Sequence, residues 1–387
     1  MGEEMMLFAL IRAAISGVQP EDNIRVACTP EILEAVYALA VQHDLAHLVG
    51  QAVSGLELPE CPALTKCKQK AMQAAYRYGK AVSACESIYK ALEMAQTPFI
   101  PLKGTVLRDY YPHPWMRTSC DIDILVHEDD SEKAMQALCN AGFVRQSDCT
   151  TYDYSLISPG GVRLELHYSL AAENKLPGTD VLLKRVWEYA SAENAGRYRY
   201  NMTNEVFVFY HIVHMAKHFF EGGCGIRPFL DLWLLKKKMQ WDPEKLCVLF
   251  EKAKLIEFYK AVSVLCDVWF EGIAHNSMTK QMENYILTGG VYGNTANSAV
   301  VKAARGESKI RSFMKLMFLP RANMEVLYPN LKKHPALFPF YQIKRWCRVL
   351  QKDKRRKMQR LVTARNSVLQ DEAGTVNNLL KQLGLIG

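Results

Sequence analysis

No stretch of the 387-residue chain approaches the roughly 20 consecutive apolar residues that a membrane-spanning helix needs. CxxC pairs are also missing. The 11 cysteines are scattered and odd in number, which argues against a disulfide framework or a zinc cage and for reduced thiols. The start, Met1-Gly2-Glu3-Glu4, is acidic where a secretory signal would be basic. No internal repeat is visible. These absences lead to the expectation of a cytoplasmic protein with no transmembrane segment. What is present is ordinary for a folded protein: 49% hydrophobic and 23% charged residues, which exclude a disordered chain. The length allows two or three structural units.

Acid is nearly absent from one segment. Between Tyr341 and Arg365 stand ten Lys or Arg residues against the single Asp353, so this stretch carries the whole of the net charge of +8. Such a segment can bind an anionic partner, either nucleic acid or lipid. The competing reading is a solvated helix, with Ile343, Trp346, Val349 and Leu350 supplying its buried side.

The hydrophobic period divides the chain into residues 1–95, 96–190 and 191–387. The first is helical: Thr29-Pro30 is a helix start, and Ala63 to Ala95 favours one long helix. In the second, short strands are expected at Pro98 to Leu102, Asp121 to Val126, Tyr152 to Ile157 and Val162 to Tyr168. A helix from Ser131 to Ala141 is expected to be capped by Ser131. The third returns to helices, clearest at Asn204 to Phe220 and Pro228 to Met239, with a loop from Thr288 to Asn294. The fold class is therefore α+β, a small mixed sheet flanked by N-terminal and C-terminal helical regions.

Chemistry concentrates in the sheet. Asp121 and Asp123 stand two apart in an apolar strand, so both carboxylates share a face. They repel unless a cation joins them, and a hard divalent ion is the natural partner. Glu165, on a later alternating strand, offers a third carboxylate. Before them, Lys103-Gly104-Thr105 lies between a strand and a short helix, where amides can approach phosphate. Lys103 and Arg117 are nearby cations. His167 shares the face of Glu165 and is a candidate to orient a carboxylate or touch a nucleotide, with a structural hydrogen bond as the competing reading. His214 and His218 are four apart on one helix face, without a third metal ligand at an expected spacing, which leaves a cleft-lining role or a satisfied place at the domain interface. Arg227 is read either as a phosphate ligand or as the partner of Asp231 in a helix ion pair.

Taken in order, Lys103-Gly104-Thr105, Arg117, Asp121-Ile122-Asp123-Ile124-Leu125-Val126 and Glu165-Leu166-His167 resemble the uncharacterised nucleotidyltransferase family of the DNA polymerase β-like superfamily. His43-Asp44-Leu45 upstream, and His214, His218, Arg227, Asp231 and Leu232 downstream, resemble its flanking segments. The resemblance implies a polymerase β-like core using Mg²⁺, or Mn²⁺ in its place, and an NTP. The reaction implied is transfer of a nucleoside monophosphate to a hydroxyl or phosphate acceptor, with release of pyrophosphate. Asp121, Asp123 and Glu165 would be the catalytic and metal-holding residues. Lys103, Gly104, Thr105, Arg117, His167, His218 and Arg227 would bind the nucleotide. The acceptor is left open among RNA, protein and sugar phosphate. The wider superfamily's Gly-Ser is here Gly104-Thr105, and the insert before Asp121 is somewhat long. A rival reading is a catalytically silent module of the same fold that binds nucleotide or nucleic acid.

Overall fold

The computed structural model describes residues 2–146, 150–173, 176, 178–289, 300–301, 314, 318–321, 324–325, 328, 330–349 and 370–386. Its N-terminal part is helical: α1 (Glu3–Ser16), α2 (Asp22–Ala27), α3 (Pro30–Gln42), α4 (Ala46–Val53) and α5 (Pro62–Met94). Helix α3 starts where the sequence places it, with the Thr29 side chain accepting the Ile32 amide and Pro30 in the first turn. Helix α5 is 33 residues long and joins two separate apolar layers. Ala63, Leu64 and Cys67 pack into the helical body, whereas Ala84, Cys85, Ile88 and Leu92 pack on the sheet.

The strands are β1 (Phe99–Pro101), β2 (Asp121–Val126), β3 (Val144–Arg145), β4 (Asp153–Ile157) and β5 (Arg163–His167). Two helices are interleaved with them, α6 (Gly104–Leu107) and α7 (Ser131–Asn140). The sheet order is β1-β2-β5-β4-β3. Strands β2 and β5 run parallel and the other neighbours antiparallel, so the sheet is mixed, as expected. Strands β4 and β5 are joined through a tight turn in which the Gly161 amide donates to the Ser158 carbonyl at 2.9 Å. Gly161 takes a left-handed φ of 78°, which a side chain would strain.

One expectation fails at α7. Ser131 is its first residue and is buried, Asp130 stands at the cap position, and no side chain caps the end.

Beyond the sheet come α8 (Leu170–Glu173), α9 (Asp180–Lys184) and a two-stranded ribbon, β6 (Ala190–Ala192) with β7 (Tyr200–Met202). The helical reading of this region missed the ribbon. Helices α10 (Asn204–Glu221), α11 (Arg227–Lys238), α12 (Pro243–Lys252), α13 (Ile256–Glu271) and α14 (Ser277–Gly289) follow. Helices α1, α3 and α4 share one apolar cluster with α10–α14, reaching from Met6 to Trp269 and on to Leu379 and Leu380. Of the expected 288–294 loop, Thr288 and Gly289 end α14, and residues 290–294 lie outside the described residues.

Nearer the C-terminus, the helix Phe338–Val349 corrects the expected packing. Ile343 is 54% exposed, while Gln342 is buried and donates to the Leu319 carbonyl at 2.9 Å. Most of the basic segment, residues 350–365, lies outside the described residues.

Candidate active site

Side chains alternate across β2, β4 and β5, and the register decides which ones meet. Asp121 pairs with Arg163, Asp123 with Glu165 and Leu125 with His167, while His167 also pairs with Asp153 on β4. All of these therefore share one face. The residues between them, Ile122, Ile124, Leu156, Leu164 and Leu166, form the apolar layer under α5 and α7. The polar face opens into a cavity of about 310 Å³. Its opposite wall comes from α10, through His211, His214, Lys217 and His218, with Arg117 and Arg227 also lining it.

Asp123 is the centre of the cluster and only 4% exposed. Lys103 Nζ donates to its Oδ1 at 3.2 Å, and His167 Nε2 donates to the same oxygen at 3.0 Å. Burial pushes the Asp123 carboxyl up, but Lys103 and the His167 hydrogen bond outweigh it and hold the group at about 2. Asp121 and Glu165 go the other way. Burial, and then the Asp123 charge, raise both of them. Glu165 is also paired with Arg163 Nε at 3.3 Å, so the face sets mutually repelling carboxylates beside cations of its own.

The ligand atoms of Asp123, Glu165 and His167 lie within 4.8 Å of one another, a spacing that one metal ion can bridge. The two carboxylates offer hard oxygen donors fitting a divalent cation, while the imidazole is engaged by its hydrogen bond to Asp123. Asp121 stands one strand position further out, with its surplus charge toward the same cavity.

Sequence reasoning missed Glu173. This buried residue, 7% exposed, ends α8, and its Oε1 receives Lys103 Nζ and Lys217 Nζ, each at 3.3 Å. His214 Nδ1 lies 3.5 Å from the same oxygen. Burial alone would raise its carboxyl; Lys103, and then His214, hold it well below the usual range. Lys103 itself is kept charged, well above its usual range, because Asp123 and Glu173 override the cost of burial. No local pattern announces Glu173. Lys217 had a signal, since it sits between His214 and His218 on the helix face already singled out.

His218 Nε2 lies 2.9 Å from His214 Nε2, so the two rings meet in the cavity wall. Burial, then the positive neighbour Lys103, lower His214 to about 4. The helix ion pair anticipated between Arg227 and Asp231 does not form. Asp231 instead accepts from Arg117 Nε at 2.7 Å and from the Tyr111 hydroxyl at 2.8 Å. Arg227 Nη1 donates to Asp44 Oδ2 at 2.7 Å, and the Thr118 hydroxyl donates to that same oxygen at 2.9 Å. Each arginine is therefore fixed across elements, and the upstream His43-Asp44-Leu45 segment explains itself as the anchor of Arg227. Arg227 Nε remains without a partner at the cavity.

The Lys103-Gly104-Thr105 segment is tightly built. Lys103 has a positive φ of 45°, which aims its ammonium between Asp123 and Glu173. The Thr105 amide and hydroxyl both donate to the Leu102 carbonyl, at 3.2 and 2.6 Å. Gly104 lines the cavity, and a Cβ there would stand 3.1 Å from Ser119 Cβ.

A family model described as an uncharacterised nucleotidyltransferase matches residues 30–271, and the chain belongs to that family. The match covers α3 through α13, including both walls of the cavity. Neither a curated protein nor a solved structure matches the chain. Among the described residues no helix is long and apolar enough to cross a membrane.

Proposed function

We propose that the cleft transfers a nucleoside monophosphate from an NTP to a hydroxyl or phosphate acceptor, with release of pyrophosphate, on a polymerase β-like core. One observation carries this reading: Asp121, Asp123 and Glu165 face a single cavity from adjacent parallel strands, close enough that the Asp123 charge raises the other two carboxyls. A bound Mg²⁺ or Mn²⁺ would polarise the phosphoryl oxygens and offset charge in the transfer. Asp121, Asp123 and Glu165 would hold it. His167 fixes the orientation of Asp123 through its 3.0 Å contact. Glu165, with its side chain 25% exposed toward the cavity, would also accept the proton of the attacking hydroxyl. Lys103, held by Glu173 as well as Asp123, would supply positive charge to offset that developing on the leaving pyrophosphate. Arg117, Arg227 and His218 line the triphosphate side, and the Gly104 backbone leaves room for close approach.

The second reading, nucleotide or nucleic-acid binding without transfer, draws on the Lys103–Asp123 pair, which already neutralises the central carboxylate. Label transfer from each α-³²P NTP, with Mg²⁺ or Mn²⁺ and fractionated RNA, protein and small-molecule acceptors, separates the two. Wild type is expected to label one fraction. Asp121→Asn/Asp123→Asn should lose the transfer by roughly a thousand-fold or more while keeping a folded far-UV spectrum. An active double variant overturns the assignment.

A further inference from the structure

Helix α5 has an unusual middle. Its two ends are buried in different apolar layers, but of residues 68–83 only Ala74 is buried. Met72 and Tyr76 are 73% and 71% exposed. From Pro62 to Cys85 the sequence contains Lys66, Lys68, Lys70, Arg77 and Lys80 and no Asp or Glu. Lys66 is taken by Glu34 at 3.3 Å; among the described residues the other four have no acidic partner. Three of these, Lys70, Arg77 and Lys80, fall within about 80° of one another around the helix and form an electropositive stripe about 15 Å long at 1.5 Å per residue, with Lys68 on another side.

This surface comes close to the loop before β2 and to the turn before β5. Lys70, Gln73 and Arg77 line a small hollow of about 50 Å³ together with Asp44, His47 and Thr118. Thr118 lies three residues before Asp121 and is hydrogen-bonded to Asp44, the anchor of Arg227. At the other end, a Cβ on Gly160 or Gly161 would meet the Lys80 side chain at 3.9 Å. That turn leads directly into Arg163, which is opposite Asp121 in the register. The exposed run therefore borders the sheet edge at which β2 and β5 begin.

We propose that the exposed middle of α5 is the docking track for a single-stranded nucleic acid, whose end enters the cleft as the acceptor. The role of the docked strand as acceptor rests on the transferase reading above. Charge complementarity selects a polyanion, and the aromatic residue selects one with bases. Tyr76 presents its ring to solvent with Lys80 Nζ 6.0 Å from the ring centroid, so a base stacked there has a cation beside it for its phosphate. An acidic peptide would use the lysines and leave Tyr76 idle. A lipid surface would call for a broad apolar face, and here Met72 and Tyr76, four apart on one stripe, are the large exposed apolar side chains of this stretch.

The test is fluorescence anisotropy with end-labelled single-stranded RNA and DNA of one sequence, about 15 nucleotides long, titrated at several salt concentrations. Poly-glutamate serves as competitor, and anionic vesicles as the alternative surface. Lys70→Gln/Arg77→Gln/Lys80→Gln is expected to reduce the slope of log K against log salt by about 2, at about 0.7 per lost phosphate contact. Tyr76→Ala is expected to weaken binding about five-fold or more with the slope unchanged. Both variants should keep the wild-type melting temperature and its shift on adding NTP with Mg²⁺. The RNA and DNA arms identify which strand is taken. Wild-type affinity and slope in the triple variant would overturn the track, as would poly-glutamate competing equally per charge, or vesicles binding where oligonucleotides do not. An oligonucleotide that binds through α5 yet receives no label from any NTP would sink the transferase reading and leave the docking surface standing.

Discussion

Along β5, Leu164 and Leu166 point into the layer beneath α5 and α7, while Arg163, Glu165 and His167, interleaved with them, point into the cleft. The two faces belong to the same strands but obey different rules. The apolar face is fully buried and filled, so its stability depends on volume. The polar face depends on charge balance, and its balance is incomplete. Asp123 is satisfied by Lys103 and His167; Glu165 reaches Arg163 at 3.3 Å, yet burial and the Asp123 charge still raise the carboxyls of Glu165 and Asp121. A face that only stabilised the fold would gain by losing one carboxylate. The retained repulsion marks this side as the one built for chemistry.

The sharpest way to break the comparison is to change two adjacent residues of β5. Leu164→Ala removes buried volume from a site at 0% exposure and should cost about 2 to 5 kcal/mol in urea denaturation. Its transfer activity per folded molecule should remain near wild type. Glu165→Gln, the next residue, should do the reverse. It removes a like charge from beside Asp123 and, in opposition, the partly exposed partner of Arg163, so stability should hold within about 1 kcal/mol. The transfer rate should fall roughly 10² to 10⁴-fold. Equal stability losses for both would mean that the polar face is a structural ion network after all.

A smaller effect separates two imidazoles that touch the same carboxylate. His167 Nδ1 and His214 Nδ1 lie 3.8 and 3.5 Å from Glu173 oxygens. Burial lowers His167, but its bond to Asp123 prevails and raises it above 6.5. For His214, burial and then Lys103 lower it from 6.5 to about 4. The signs follow from linkage. The unfolded chain protonates residue 214 below pH 6.5 and the folded chain does not, so its contribution is present above 6.5 and lost as pH falls toward 4. The contribution of His167 is complete below pH 6.5 and is lost as pH rises through its elevated folded value. His214→Gln should therefore flatten the acid limb of stability against pH by about 1 to 3 kcal/mol. His167→Gln should leave that limb in place and alter the alkaline one. Urea midpoints at pH 4.5, 6.5 and 8.5 check both.

The same contrast explains what was legible in the sequence. The apolar face was readable because strand alternation is local: Ile122, Ile124, Leu164 and Leu166 announce their side. Asp121, Asp123 and Glu165 were readable for the same reason, as polar interruptions of that alternation. Glu173 was not, because its importance comes from Lys103, Lys217 and His214, which lie 70, 44 and 41 residues away in the chain. Arg227 and Asp231 misled because a four-residue spacing on a helix permits an ion pair without requiring one. Asp44 and Arg117 offered better partners from other elements. Ile343 misled because helical spacing shows which residues share a face and says nothing about which face is covered. The β6–β7 ribbon escaped because Ala190-Ser191-Ala192 has no strand signature of its own and is fixed by pairing with Tyr200 to Met202.

The least disruptive change tests whether the polar face uses space as well as charge. Gly104 begins α6, and a Cβ added there would stand 3.1 Å from Ser119 Cβ and 3.6 Å from Arg117 Nη1. Gly104→Ala gains helix propensity but must displace Ser119, so a net loss of about 1 kcal/mol or less is expected. Ser119→Gly in the same chain opens that space, and a coupling of about 0.5 to 1 kcal/mol between the two changes should appear in the double-mutant cycle. Nucleotide affinity, measured on the same four proteins, then decides why the glycine is needed. If Ser119→Gly restores stability but not NTP binding to Gly104→Ala, the missing side chain serves the phosphate. If it restores both, Gly104 is there for Ser119, and the triphosphate must be held by Lys103 and Arg227 instead.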